Sequence, residues 1–502
     1  MEQNHQAAQE ASFSSAGLTQ AGAGLRLDDR ERLRRGERAA TIAAELSVQD
    51  IVAVAMTYVD VSGITRTKAV PVRHLEEASA WGVGMSPVFD VFLLEDSIVK
   101  GRYAGGPVGD LRLHPVLERV VPMAGMPGWA WAPAERFTQD EGTEHLLDGR
   151  RLLRQEVARL ADKGWSARAA FEVEWAVSVR NGRTGGNGED GHGGQDFVPA
   201  CSGPAYGMAR IAELSDYLRD LLRALEASKV DVVQIHPEYA AGQLELSVAP
   251  EDPIAAADTF VLVRETIRSV SFRHGLAASF SPKVLVGGVG NGGHVHLSLW
   301  RDDTDQGAVN AMAGGEGPYG MTRAGEAFAA GILERLPALL AVGAPSVASY
   351  LRLIPSHWAS AFVCWGLENR EAPLRFITGP TGRSASVANV EIKCFDESAN
   401  PYLALAGLLA AGRAGVEGEA VLPEPLNVAP GGLGDDERAE RGIVPLPTSL
   451  EESLRAFEDD PVLREAFGDA LVDTIGTVRR GEIALFEGAT PEEIAAATRW
   501  RH

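Results

Sequence analysis

The sequence predicts an α+β fold in two units, a small strand-rich one followed by a larger one that mixes strands and helices. From Val48 to about Phe137, short runs of β-forming residues (Ile51–Val59, Ala69–Val72, Val88–Leu94) are separated by Gly and Pro, with one helical piece at His74–Ala80. Later in the chain, strand-type runs at 170–179, 230–236, 243–248, 283–286 and 294–300 are interleaved with helical periodicity at 212–228, 253–274 and 322–341. At 502 residues, with 45% apolar and 23% charged side chains, the chain can bury a large core.

Taken in order, residues 1–44 are rich in Ala, Gly, Gln, Ser and charge and end in D-D-R-E-R-L-R-R-G-E-R, which predicts a disordered tail. The small unit spans 45–137 and closes with Asp110–Pro115 and the Trp-rich Gly128–Pro133. The larger unit, 138–502, opens with a helix over Thr143–Lys163, where Leu146, Leu147, Leu153, Val157 and Leu160 recur at helical spacing. Residues 181–196 are Gly-rich, but no strand-to-helix frame surrounds them, so they predict a surface loop and not a phosphate cradle. Asn400 and Pro401 start a helix as N-cap and first helical residue, running through Leu409. Residues 417–446 form a Pro/Gly-rich connection, and 448–488 return to helix.

The formal charge of −22 argues against non-specific nucleic-acid binding and suits attraction of cationic small molecules. Cys201, Cys364 and Cys394 are scattered without a pairing framework, which points to a reducing compartment, the cytoplasm. No apolar run approaches a membrane span and the N-terminal residues lack a signal-peptide core, so neither a membrane nor secretion is expected.

Chemistry-bearing residues fall where core is expected. In Ser349–Phe376, Arg352, Arg370 and Arg375 stand among apolar and aromatic residues; guanidinium forks suit carboxylate and phosphate oxygens, although structural pairing with Asp or Glu is the plainer alternative. In F171-E-V-E-W175, alternation puts Glu172 and Glu174 on one strand face and Phe171, Val173 and Trp175 on the other. Two carboxylates so placed need a cation or a proton between them. Glu238 and Glu245 flank a tight turn in H236-P-E-Y-A-A-G-Q-L-E245. His294 and His296 share a strand face after a glycine-rich loop, and Glu391 and Lys393 share another. Each pair alone suits a half-exposed sheet edge. Together, oxygen ligands with one imidazole suit Mg²⁺ or Mn²⁺, and the arginines add charge neutralisation for phosphoryl transfer.

On these motifs the chain resembles the glutamine synthetase family. E-x-E, E-x-x-x-G-Q-x-E, N-G-x-H-x-H-x-S, R-L-x-P, N-R-x-x-x-x-R and E-I-K before N-P-Y occur in family order over about residues 45–490. The resemblance implies an N-terminal β-grasp domain, a catalytic domain with an antiparallel sheet, and a homo-oligomer, a dodecamer of two hexameric rings with sites shared between subunits. It implies that Glu174, Glu238 and Glu245 hold one Mg²⁺ or Mn²⁺, and that Glu172, His294 and Glu391 hold a second beside ATP. Arg352 and Gly290 would bind glutamate, Arg370 and Arg375 the transferring phosphate, and His296 and Ser298, with Arg375, the nucleotide.

The departures are informative. Trp358 stands six residues after Arg352, where the family pattern has its flap glutamate. An indole is no base, but its face attracts an alkylammonium. Asn389 and Lys393 replace family arginines, so Lys393 keeps charge at the glutamate site without the fork. Val233 takes an acidic position, and the ammonium-site aspartate contributed by a neighbour's small domain matches Asp90 only loosely. The expected function is therefore an ATP-dependent ligase joining glutamate to a primary amine such as ethanolamine, a polyamine or another monoamine. The alternatives are ordinary glutamine synthetase using ammonia and a non-catalytic protein of the same fold.

Overall fold

The computed structural model describes residues 26–180, 197–303 and 307–502. The Gly-rich stretch 181–196 and the first 25 residues of the expected tail lie outside these. The rest of that tail is not a tail. Helix α1 (Asp29–Val48) starts at Asp28, whose side chain accepts from the Glu31 amide at 2.8 Å. It buries Gly36, Ala39 and Leu46, while Leu33 is left exposed. Its contact face is made largely of small residues, so hydropathy alone gives no stripe. The close neighbour is α2 (Leu75–Trp81), where Ser79 donates to the Arg35 carbonyl oxygen.

The first sheet has six strands: β1 (Ala53–Val59), β2 (Thr65–Pro71), β3 (Val83–Met85), β4 (Leu111–Pro115), β5 (Val121–Pro122) and β6 (Trp129–Thr138). Its order is β2-β1-β6-β4-β3, with β5 on β6 and β1 parallel to β6. Val54, Met56, Leu75, Leu113, Ala130 and Ala132 form its core. The strand expected at Val88–Leu94 is instead a 3-10 turn, Pro87–Val91. Pro87 fixes φ at its start, and the Ser86 hydroxyl accepts from the Val88 amide.

Helix α3 (Gly149–Ala161) leads into the second sheet. It is shorter than expected because the Asp148 carboxylate caps it, accepting from the Arg151 amide at 2.9 Å. The nine strands are β7 (Trp165–Val179), β8 (Val232–Pro237), β9 (Gln243–Val248), β10 (Leu276–Ser279), β11 (Gly293–Asp303), β12 (Gly307–Asn310), β13 (Trp365–Leu367), β14 (Leu374–Ile377) and β15 (Asn389–Ile392). Their path is β13-β14-β15-β11-β7-β9-β8, antiparallel except for β13 with β14. No strand forms at 283–286, which is irregular and ties Lys283 Nζ to the Gly288 carbonyl oxygen. The helical stretch expected at 448–488 is two helices, Leu450–Asp459 and Pro461–Leu485, separated where Asp460 caps the second and Pro461 opens it.

Phe171, Val173 and Trp175 are buried on one face of β7, and Phe171 lies 4.4 Å from the Phe260 ring on helix Pro253–Arg273. Each such side chain contributes about 1.5–3 kcal/mol by leaving water. Behind them, helices Arg323–Gly343 and Pro401–Glu417 cross closely; a Cβ at Gly331 would stand 2.6 Å from the Gly415 Cα. That anchored face leaves the other face of the sheet to carry polar groups.

Candidate active site

Strand alternation sends Glu172 and Glu174 away from the apolar face, and strand register then sets their neighbours. His294 on β11 is opposite Glu172, and His296 is opposite Glu391 on β15, which in turn is opposite Arg375 on β14. On the other side Glu174 is opposite Glu245 on β9, itself opposite His236 on β8. Directly opposed residues point to the same side of a sheet, so six adjacent strands supply one continuous row of ionisable side chains.

The row is tightly connected. His294 Nδ1 donates to Glu172 at 2.7 Å and lies 3.3 Å from Glu391, while its Nε2 is 3.7 Å from Glu174. His296 Nε2 stands 3.5 Å from Glu172, and its Nδ1 is 3.0 Å from the Asn389 side-chain oxygen. Three groups bring ligand atoms within 4.8 Å of one another: Glu172, Glu174 and His294; Glu172, His296 and Glu391; His236, Glu238 and Glu245. All six expected ligands are included in these overlapping clusters. Glu174 clusters with Glu172 and His294, His296 joins a cluster, and His236 appears beside Glu238 and Glu245. Its place at the end of the strand, two residues before Glu238, is the signal that the sequence offered.

Charge balance explains the proton affinities. Burial pushes the Glu174 carboxyl up, and burial together with Glu172 and Glu174 lifts Glu245 to about 7 against the hydrogen bond from His236. Burial opposes ionisation of Glu172 and Glu391 as well, but the histidines, and for Glu391 also Lys393, outweigh it and hold both well below the usual range. His294, disfavoured as a cation by burial and by Lys393, is still raised to about 9 by Glu172 and Glu391. The hydrogen bond to Glu245 raises His236 to about 9 despite partial burial. The carboxylates thus draw protons onto the imidazoles, the demand for positive charge that a divalent cation also meets.

The three arginines diverge. Arg352 is 4% exposed at the end of the 3-10 turn Val347–Leu351; its Nη2 donates to the Lys393 carbonyl oxygen at 2.9 Å and lies 3.5 Å from His294, and its buried Nη1 has no hydrogen-bond partner among the described residues. Gly290 lets the glycine-rich loop lie on this side chain, since a Cβ there would approach Arg352 Cγ to 2.8 Å. Arg375 is paired with Glu391 at 2.8 Å and with Glu368, which is the structural pairing that sequence left open. Arg370 is exposed in the turn between β13 and β14 and has no hydrogen bond or ion pair among the described residues. Lys393 Nζ is 3.2 Å from Glu391, its charge directed to that carboxylate. Ser298 is buried and accepts from the Trp300 indole N–H at 2.8 Å.

Trp358 is 60% exposed, with φ of 55°, in a loop where Ser356 and Ser360 also take positive φ. Such a backbone is costly for residues other than glycine, and the Glu371 carboxylate steadies it by accepting from the Trp358 amide at 3.1 Å. Asp90 differs from expectation. It is 1% exposed, and its two oxygens are taken by Arg136 and, at 2.8 Å, by His145. Burial is outweighed by the Arg136 guanidinium and the hydrogen bond from His145, and its carboxyl is held low, so Asp90 is an internal ion-pair partner and not a carboxylate offered at a surface.

Two further residues shape the β8–β9 turn. The Tyr206 hydroxyl donates to Glu238 at 2.9 Å, and buried Arg210 donates to the Glu238 and Ala240 carbonyl oxygens at 2.6 and 2.7 Å. Both come from a segment without a chemical motif of its own, so sequence offered no signal for them.

This sheet and its polar row define a chain that belongs to the glutamine synthetase family. The model of the glutamine synthetase catalytic domain matches residues 146–496. The chain is 53% identical over 467 residues to the γ-glutamylpolyamine synthetase GlnA3 of Streptomyces coelicolor, covering 93% of this chain and 97% of the relative. It is 27% identical to the glutamine synthetase of Halobacterium salinarum, covering 92% and 96% respectively. A solved structure of a glutamine synthase homologue superposes with a TM-score of 0.76 at 32% identity, over 89% of this chain and 97% of that one. Among the described residues no helix is long and apolar enough to cross a membrane.

Proposed function

We propose that this ligase of the glutamine synthetase family joins the γ-carboxylate of glutamate to a primary amine at the expense of ATP, releasing ADP and phosphate. The observation that carries the reading is the pairing of a buried, half-satisfied guanidinium, Arg352, with the row of carboxylates and histidines beside it. Arg352 Nη1 is a desolvated donor suited to the α-carboxylate of glutamate, with the Gly290 loop against it. Glu172, Glu174, Glu238, Glu245, His294 and Glu391, with His236 and His296 adjacent, fit two or more hard divalent cations, Mg²⁺ or Mn²⁺. Bound there, such cations would neutralise phosphate charge.

The chemistry is two displacements. A γ-carboxylate oxygen attacks the terminal phosphorus of ATP, forming γ-glutamyl phosphate and ADP. The amine nitrogen then attacks the acyl carbon, the C–O bond to phosphate breaks, and the nitrogen loses a proton. In this reading Arg370, on the turn, and Arg375, on the following strand beside Glu391, would meet phosphate oxygens in the first step, and His296 and Ser298 would lie on the nucleotide side. Trp358 presents an apolar, π-rich surface where the family pattern has a carboxylate. That choice, together with the similarity to a γ-glutamylpolyamine synthetase, favours an organic amine over ammonia. The reading extends to assembly in the cytoplasm as a dodecamer of two hexameric rings, with the unit at 45–137 completing a neighbour's site.

Phosphate release from ATP with glutamate and a panel of amines tests it. Amine-dependent release with formation of the γ-glutamylamide is expected. Equal turnover with ammonium and every alkylamine, or none with any amine, would overturn it.

A further inference from the structure

Glu371 is placed as no catalytic motif requires. It lies in the turn between β13 and β14, half-buried, next to the exposed Arg370. One carboxylate oxygen, Oε1, accepts the Trp358 amide hydrogen at 3.1 Å, fastening the strained loop that carries the indole. The other, Oε2, has no hydrogen-bond or ion-pair partner among the described residues, although Arg370 is adjacent in sequence. A carboxylate is thus held at the main chain of the residue that bears the exposed indole, with half its acceptor capacity unused.

The turn also sits close to the site by construction. Arg375, paired with Glu391 in the polar row, is the fourth residue after Glu371. An extended chain of that length spans at most about 13 Å. An aliphatic diamine or polyamine covers such a distance with a few methylenes.

Resting on the amine-ligase reading above, we propose that Glu371 is a specificity-determining residue that selects di- and polyamines by binding a second, non-reacting ammonium group through its free oxygen, with the Trp358 indole against the intervening methylenes. The attacking nitrogen must be uncharged, but a second amine with an ordinary affinity near pH 10 stays protonated at neutral pH. Bringing that charge against protein without a partner is unfavourable. A charge-assisted hydrogen bond to Glu371 compensates it, and a monoamine has nothing to place there.

Glu371→Gln separates the two roles of the side chain, because the amide carbonyl can still accept from the Trp358 N–H while the charge is gone. The measurement is kcat/KM for 1,4-diaminobutane divided by that for ethylamine, by phosphate release. The ratio is expected to fall about tenfold or more in Glu371→Gln, mainly through KM for the diamine, and to fall less in Glu371→Asp, which keeps the charge. An unchanged ratio in Glu371→Gln overturns the inference and leaves the ligase reading intact. So does a wild-type enzyme that uses ethylamine but no diamine. A wild-type enzyme that uses ammonium alone overturns both.

Discussion

Arg352 donates one N–H of its buried guanidinium to the carbonyl oxygen of Lys393 at 2.9 Å and keeps its Nη1 without a hydrogen-bond partner among the described residues. The bond fixes the guanidinium by main chain, so its orientation does not depend on another charge. Arg352→Lys retains the positive charge but cannot both hold that carbonyl and fork onto a carboxylate. KM for glutamate is expected to rise about 10- to 100-fold, corresponding to about 1.5–3 kcal/mol. Steady-state kinetics with varied glutamate checks this; an unchanged KM would place the substrate carboxylate elsewhere.

The indole of Trp358 sets a second prediction. Trp358→Glu restores an anionic side chain and removes the π face, so the activity ratio of ammonium to alkylamine should increase by several-fold, the scale of a cation–π contact of about 0.5–2 kcal/mol. The two initial rates measured side by side decide it, and a constant ratio removes Trp358 from amine selection.

Glu174 is buried among other carboxylates, and burial lifts its proton affinity. Glu174→Gln keeps an oxygen to accept from the Gly292 amide, which donates to Glu174 at 2.8 Å, and takes away one repelling charge. The metal-free variant should melt at or above the wild-type temperature. Saturating Mg²⁺ or Mn²⁺ at a hundredfold over Kd stabilises a protein by about 2.7 kcal/mol, and most of that gain should be lost in the variant at the same concentration. Thermal melts with EDTA and with added metal read both effects.

His114 is 1% exposed, and its Nδ1 donates to the Ser79 carbonyl oxygen at 3.0 Å. Burial, ahead of nearby Arg35 and Arg32, lowers its proton affinity from 6.5 to about 4. Between those values the unfolded chain binds the extra proton and the folded chain does not, so stability falls as pH drops through that window. The loss is about 3 kcal/mol at its full extent. Melting curves from pH 7 to 4 should be less steep in pH for His114→Gln than for the wild type.

Helix α1 supplies a structural prediction. Ala39 is fully buried and Leu33 is 64% exposed on the same helix. Ala39→Glu should therefore lower the melting temperature markedly through burial of an unpaired charge, whereas Leu33→Glu should change it little. Similar effects of the two would show that α1 does not pack as described.

Much of the site was legible because strand alternation is a local property of the backbone. The sequence F171-E-V-E-W175 is enough to separate Glu172 and Glu174 from the apolar face, and His294-x-His296 can be read in the same way. What sequence spacing could not settle was which residues face each other across strands. Register between β7, β8, β9, β11 and β15 brings Glu174 and Glu172 beside His294 and adds His236 and His296, because pairing is decided by long-range burial of the opposite face. The same limit applies to the arginines and to Asp90. Within one stretch of sequence, Arg352, Arg370 and Arg375 look equivalent, yet packing buries the first with a free donor, exposes the second and pairs the third. A carboxylate's availability likewise depends on who reaches it in three dimensions, and for Asp90 those partners come from residues 136 and 145. By itself the sequence determined the kinds of chemical group and the strand faces they occupy; the tertiary structure decided their partners, since partnership follows from register and burial and not from spacing along the chain.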